Sequence, residues 1–264
     1  VAGRRMRGET LLLTDVDAHV ARFQGPPFVY GFTQVGSGCG VVSAGSCVVA
    51  DQAAYWMGQN GFFVYDGRVQ PLRSAVGDFI FENLNVSQRS KVVGVLNSQF
   101  SEVVWFYPST GSTENDSYVS YNYMEGHWQV GTLSRTAGFD TGTFVYPNYV
   151  DATGIIYEHE VGYAYDSDTE VFAESGPIQL GNGDRMMVAK SLIPDEKTQG
   201  DVTATFKTRF FPNGTESSFG PFDMANPTSV RFQGRQVQMR ITGNTTTSWR
   251  VGTMRLDVVE GGRR

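Results

Sequence analysis

Four consecutive residues, Phe62-Phe63-Val64-Tyr65, constrain this chain more than any other stretch. In an extended strand even and odd positions point to opposite faces, yet all four of these side chains are bulky and apolar or aromatic. A strand apolar on both sides must be covered on both sides. Stacked, blade-like antiparallel sheets provide that cover, and a sheet with one wet face does not. The surrounding segment, Ala54 to Leu72, divides into strands Ala54–Gly58 and Phe62–Tyr65 and a third run beginning at Arg68. Turns are expected at Gly58–Gly61 and at Asp66-Gly67, where a two-residue hairpin would need positive φ at both central positions.

The same rhythm recurs along the first two thirds of the chain. Strands are expected at Thr10–Thr14 and Ala18–Phe23, joined through Asp15-Val16-Asp17, and again from Ser46 to Ala50. Others follow at Lys91–Leu96, Val103–Tyr107, Tyr118–Tyr123 and His127–Leu133. Val1–Gly8, with Arg4, Arg5 and Arg7, reads as an exposed lead-in, and Gly25–Gly45 as loop around one apolar run, Phe28–Phe32. Asp78–Val92 breaks the pattern and reads as one or two short helical turns, with Ser87 the N-cap of the second. FFVYDGRV (Phe62–Val69) and SYNYMEGHWQV (Ser120–Val130) share an aromatic strand end, an acidic residue, a glycine and a return strand. A fainter copy is GIIYEHEVGYAY (Gly154–Tyr165). Such recurrence fits propeller blades, and three or so blades do not close a ring. The remaining blades are then expected upstream of Val1 or from other chains. A chain opening on Val1 rather than Met reads as a processed product or part of a longer one.

After about Phe172 the pattern changes to strict alternation. Val202, Ala204 and Phe206 alternate with Thr203, Thr205 and Lys207; Val237, Met239 and Ile241 with Gln236, Gln238 and Arg240; Met254, Leu256 and Val258 with Arg255 and Asp257. These strands have one buried and one solvated face, as in a sandwich. Turn signals at Pro212-Asn213-Gly214 and Gly243-Asn244 separate them. The expected fold is therefore all-β: partial β-propeller-like blades over residues 1–172, then a β-sandwich-like domain over 173–264.

The chemistry on offer is thin. With 264 residues, 40% of them hydrophobic, the chain can bury a large core. A net charge of −6 argues against a basic surface that grips nucleic acid. No apolar run approaches the roughly 20 residues of a membrane helix. Cys39 and Cys47 are the only cysteines, open to a hairpin disulfide or to two small buried thiols. His19, His127 and His159 lack ligand spacing. Glu158 and Glu160, two apart on a strand, are candidates for an acid/base pair, against a solvated strand edge. Asp166-Ser167-Asp168-Thr169-Glu170 is a candidate calcium loop, against a polar hairpin tip. Trp56, Trp105, Trp128 and Trp249 could stack on sugar or simply fill cores. Asn-x-Ser/Thr sequons stand at Asn85, Asn115, Asn213 and Asn244. Nucleophile-elbow, zincin and P-loop motifs are missing, as is the repeated Ser-x-Asp-x-Gly-x-Thr-Trp box of sialidase-type propellers. No catalytic, cofactor-binding or metal residue is assigned, and no cofactor is expected.

YWMGQNGFFVYDGRVQPL (Tyr55–Leu72), NSQFSEVVWFYPS (Asn97–Ser109), YNYMEGHWQVGTLSRTA (Tyr121–Ala137) and WRVGTMRLDV (Trp249–Val258) carry a resemblance. From about Glu9 to Arg264 the chain resembles the C-terminal half of the tail-nozzle, or packaged-DNA stabilisation, proteins of short-tailed phages. The resemblance implies a non-enzymatic virion protein with propeller-like β-domains, six copies forming a ring around the DNA exit channel. It implies as partners further copies, tail neighbours such as an adaptor or fibre, and transiently the DNA, and it supplies no catalytic residues. The acidic balance agrees, because a negative lumen lets DNA slide. The competing expectation is a carbohydrate-binding or glycan-cleaving propeller, whose turnover would fall in Glu158→Gln or Asp166→Asn.

Overall fold

The two-sided strand sits where its residues require. Phe63 and Tyr65 face one core with Trp56 and Leu11, while Phe62 faces another with Trp105 and Val103. The structure is a computed structural model, and it describes residues 2–162, 170–179, 185–195, 202–224, 226–243 and 249–262. Among these residues the fold is all-β apart from short helical turns, and the chain divides into two compact units, Val1–Val161 and Gly162–Arg264.

The first unit is a succession of antiparallel meanders. The first blade holds β1 (Ala2–Arg5), β2 (Glu9–Leu13), β3 (Ala18–Phe23) and β4 (Tyr30–Gly36). The second holds β5 (Cys47–Ala50), β6 (Ala53–Met57), β7 (Phe62–Tyr65) and β8 (Val69–Leu72). In the third come β9 (Val93–Asn97), β10 (Glu102–Tyr107), β11 (Ser117–Asn122) and β12 (Trp128–Thr132). The fourth has three strands: β13 (Ala137–Phe139), β14 (Asn148–Val150) and β15 (Ile156–Glu158). The leading strands neighbour one another in turn, β1 with β5, β5 with β9 and β9 with β13. That is how propeller blades meet near an axis.

Each blade joint is an apolar seam. Leu11, Leu13 and Val20 meet Trp56 and Tyr65; Met57 and Phe62 meet Val103 and Trp105; Val104 and Phe106 meet Tyr149. Phe62 alone has ring neighbours Phe81, Trp105 and Trp128 at 5.4, 5.1 and 4.7 Å. Such aromatic pairs add about 0.5–1.5 kcal/mol each beyond the area they bury.

Several local expectations are corrected. The lead-in is a strand and not a free tail: residues 2–5 form the leading strand of the first blade, with Ala2 and Met6 buried and Arg5 and Arg7 exposed. Arg4 misleads because its guanidinium donates to the carbonyls of Cys47 and Ala44, so the charge lies over the second blade. The Asp66-Gly67 turn is a three-residue loop between Tyr65 and Val69 in which only Gly67 takes positive φ. Between the second and third blades, α1 (Gly77–Asn83) is followed by a 3₁₀ turn, Val86–Lys91. Its N-cap is Asn85, whose Oδ1 accepts from the Ser87 N–H at 3.1 Å, and Ser87 lies inside the turn.

The second unit is a sandwich. One sheet orders β16 (Val171–Glu174), β22 (Gln236–Gly243), β19 (Thr203–Arg209) and β20 (Ser217–Asp223), with β17 (Ile178–Gln179) also on β22. The other orders β21 (Thr228–Gly234), β18 (Met187–Ile193) and β23 (Arg255–Glu260). Ala204, Phe206, Val237 and Ile241 from the first sheet share one core with Ala189, Leu192, Val230 and Phe232 from the second. The boundary expected at 172/173 falls inside β16, a strand of this sandwich. The turn at Asn213 closes with the Gly214 N–H on the Phe211 carbonyl, whereas Asn244 lies outside the described residues.

Candidate functional site

Most residues singled out by sequence serve packing. Trp56 and Trp105 are fully buried, and their indole N–H groups donate to the carbonyls of Cys39 and Ser46 at 2.8 and 2.7 Å. Trp128 is half-buried against the second-third seam and donates to the Arg73 carbonyl; Trp249 packs on the sandwich core. Each of these rings packs against a core of its own unit. Cys39 and Cys47 are buried thiols with no disulfide, and burial pushes the Cys47 thiol up to about 12, away from thiolate chemistry. Asn115 is buried, its amide donating to the carbonyls of Lys91 and Arg135, which takes that sequon out of reach of glycan addition. Asn85 is occupied in its cap, and Asn213 is exposed.

Glu158 and Glu160 do not pair. β15 ends at Glu158, the His159 N–H bonds the Pro147 carbonyl, and Glu160 turns away at φ 62°. The Glu160 carboxylate instead reaches the third blade, where Oε1 accepts from Asn97 Nδ2 at 3.1 Å. Its electrostatic partner there is Glu102, half-buried on β10 and accepting from Gln129 Nε2 at 2.8 Å. Burial, and then the charge of Glu160, push the Glu102 carboxyl up; burial does the same for Glu160. Tyr149, buried beside them with its hydroxyl unpartnered, has its pKa raised by burial. Period-2 reasoning missed this grouping because Glu102 and Glu160 are brought together across blades. Among the described residues no group of three or more His, Cys, Asp or Glu is placed to hold a metal ion. Asp166, Asp168 and Glu170's loop partners in the candidate calcium loop lie outside the described residues.

The histidines stay apart. His19 sits on β3 and His127 before β12. His159 accepts from Arg135 Nε at 2.9 Å, and burial, followed by Arg135, lowers it to about 4, so it is a neutral imidazole. The hollow of the sandwich is lined, among the described residues, by Val188, Lys190, Phe219 and Arg231, none of them a carboxylate.

What the first unit does expose is apolar sheet. The register places Leu12, Ala21, Phe23, Tyr30 and Phe32 on the face of the first blade turned away from the second. Phe23, Tyr30 and Phe32 are 67%, 56% and 69% exposed, and the first two pack edge to face at 5.8 Å. On the fourth blade, Tyr149 faces the third, so Ala137, Phe139, Val150 and Ile156 point the other way. Ile156 is 65% exposed and Phe139 47%, with the Phe144 ring 5.5 Å from Phe139. The outer faces of the first and fourth blades therefore carry exposed apolar side chains among polar ones, Arg5 and His19 on the first and Glu158 and the buried Asn148 on the fourth. Exposed aromatic side chains clustered on one sheet face suit contact with a partner surface.

No family model matches the chain, and no curated protein matches it. Among solved structures, the crystal structure of exo-beta-1,3-galactanase from Phanerochaete chrysosporium with galactose is similar at TM-score 0.31 and 12% identity. The match covers 92% of this chain and 74% of that one, and a likeness this low carries no argument about fold or function.

Proposed function

We propose that this chain is a structural, non-enzymatic component of a phage tail, of nozzle or hub type. Copies assemble into a ring around the DNA exit channel, six in the family that the sequence resembles, and help retain packaged DNA and guide its ejection. Adjacent tail proteins, such as an adaptor or fibre, and the passing DNA are its partners. The observation that carries the reading is the blade array: interior faces are sealed by aromatic seams, while aromatic side chains on its outer faces, Phe23, Tyr30 and Phe32 among them, are exposed. A stiff wall with exposed apolar side chains suits assembly. The net charge of −6 supports it as well, since DNA passes such a wall without adhering. Antibody raised against the chain and applied to intact source particles is expected to decorate the tail. Particles that lack the chain, or carry it only in the capsid shell, would contradict the proposal.

A further inference from the structure

The joint between the third and fourth blades holds a group of buried oxygen atoms without partners. Residues directly opposite in an antiparallel pair point to the same side of the sheet. Val95 therefore shares a face with Val104 and Ser120, and so do Asn97 and Glu102, two residues along on β9 and β10. This is the face that packs on Tyr149. The Tyr149 ring lies beside Phe106, with centroids 5.8 Å apart, and its hydroxyl feels the charges of Glu160, Asp140 and Glu102. Asn97 Oδ1, Ser120 Oγ and the Tyr149 hydroxyl have no hydrogen-bond partner, on residues only 4%, 1% and 4% exposed. An unpaired buried oxygen costs its desolvation in full, so each of the three calls for an occupant.

The Asn97 amide shows which kind. Its Nδ2 donates to Glu160 Oε1 at 3.1 Å, and Glu102 stands directly opposite on β10. Glu102 accepts from Gln129 Nε2 at 2.8 Å. Both donors are neutral, and among the described residues neither carboxylate is in a salt bridge. The nearby imidazoles are engaged elsewhere, His127 with Glu125 and His159 with Arg135. Two negative charges and a spare amide oxygen thus converge with no positive charge among them.

We infer that this group binds a calcium ion between the carboxylates of Glu102 and Glu160, with Asn97 Oδ1 as a third ligand. Waters complete the shell, and the hydroxyls of Ser120 and Tyr149 accept hydrogen bonds from them. An all-oxygen set with an amide carbonyl suits calcium, whereas zinc favours nitrogen and sulfur and magnesium a compact octahedron. Affinity rises with the number of charged ligands, and two carboxylates place the site in the weak class, at about 10⁻⁴–10⁻³ M. The ion ties Glu160, which adjoins the end of the first unit at Val161, to the third blade. It thereby stiffens the joint that holds the fourth blade.

The test is thermal unfolding of the full chain followed by tryptophan fluorescence, with titration calorimetry to read binding directly. Calcium at about 10 mM, compared with chelator, is expected to raise the midpoint of the first unit by about 3–6 °C, and magnesium by far less. Glu160→Gln, at an exposed position, is expected to fold as the parent does and to lose both the shift and the binding heat. Glu102→Gln is expected to lose them too. Asp168→Asn, in the acidic run 166–170, is expected to keep both. A parent chain with neither shift nor binding heat would overturn the inference. So would an equal response to magnesium, which indicates screening of the net charge of −6. A calcium response that survives at parent affinity in Glu160→Gln, or vanishes in Asp168→Asn, would place the ion elsewhere and overturn it as well.

Discussion

The two units solve one problem in different ways. In the first, sheets are stacked so that a strand such as β7 buries Phe62 on one side and Tyr65 on the other. In the second, a strand such as β19 buries Ala204, Phe206 and Thr208 and turns Thr205 and Lys207 outward. A sandwich finishes its own core: two sheets face each other and their outer faces are wet. A blade array does not finish itself, because each sheet needs a neighbour on both sides and the end sheets have one apiece. Aromatic residues at 50–70% exposure on the first blade are what that geometry leaves over.

Paired substitutions probe the difference most strongly. Phe62→Ala and Tyr65→Ala, on opposite faces of β7, are each expected to destabilise the first unit by about 3–5 kcal/mol in denaturant unfolding, as buried aromatic truncations do. In the sandwich, Phe206→Ala is expected to be equally severe. Lys207→Ala, which removes an exposed pair with Glu174 at 2.7 Å, should stay within about 1 kcal/mol. A Tyr65→Ala variant as mild as Lys207→Ala would break the two-sided account of β7.

A smaller effect separates the units by pH. His159 is held at about 4 in the fold, by burial and then by Arg135, against an ordinary imidazole near 6.5. A depressed folded value means that the unfolded chain binds the proton first, so stability present above 6.5 is lost as pH falls towards 4. Glu102 has the opposite sense: its raised folded value means stability falls as pH rises from the ordinary carboxylate range through that folded value. The first unit is therefore expected to weaken between pH 6.5 and 4, and His159→Gln to flatten that decline. Glu102→Gln is expected to strengthen it slightly at neutral pH. An unchanged profile in His159→Gln would show that the imidazole does not govern the decline.

Regular strands were legible because periodicity is local. Phe62–Tyr65 and Ala18–Phe23 stand where the pattern put them, and the alternation after Phe172 reads directly as the sandwich. What was not legible depends on distant backbone. Residues 2–5 look like a basic tail until the carbonyls of Ala44 and Cys47 appear beneath Arg4. Ser87 and Asn85 are both competent caps, and the choice follows from Asn85 Nδ2 also reaching the Ser112 carbonyl. Glu158 and Glu160 were grouped by a period of two that a single left-handed residue cancels. The Phe28–Phe32 run was visible as apolar, but its chemistry is that of a core residue; only the lack of a covering sheet makes it surface.

The most direct measurement is negative-stain electron microscopy of the protein as isolated from its source, read as class averages. The account predicts rings with a central pore wide enough to pass a DNA duplex. Compact single particles at every concentration would contradict it.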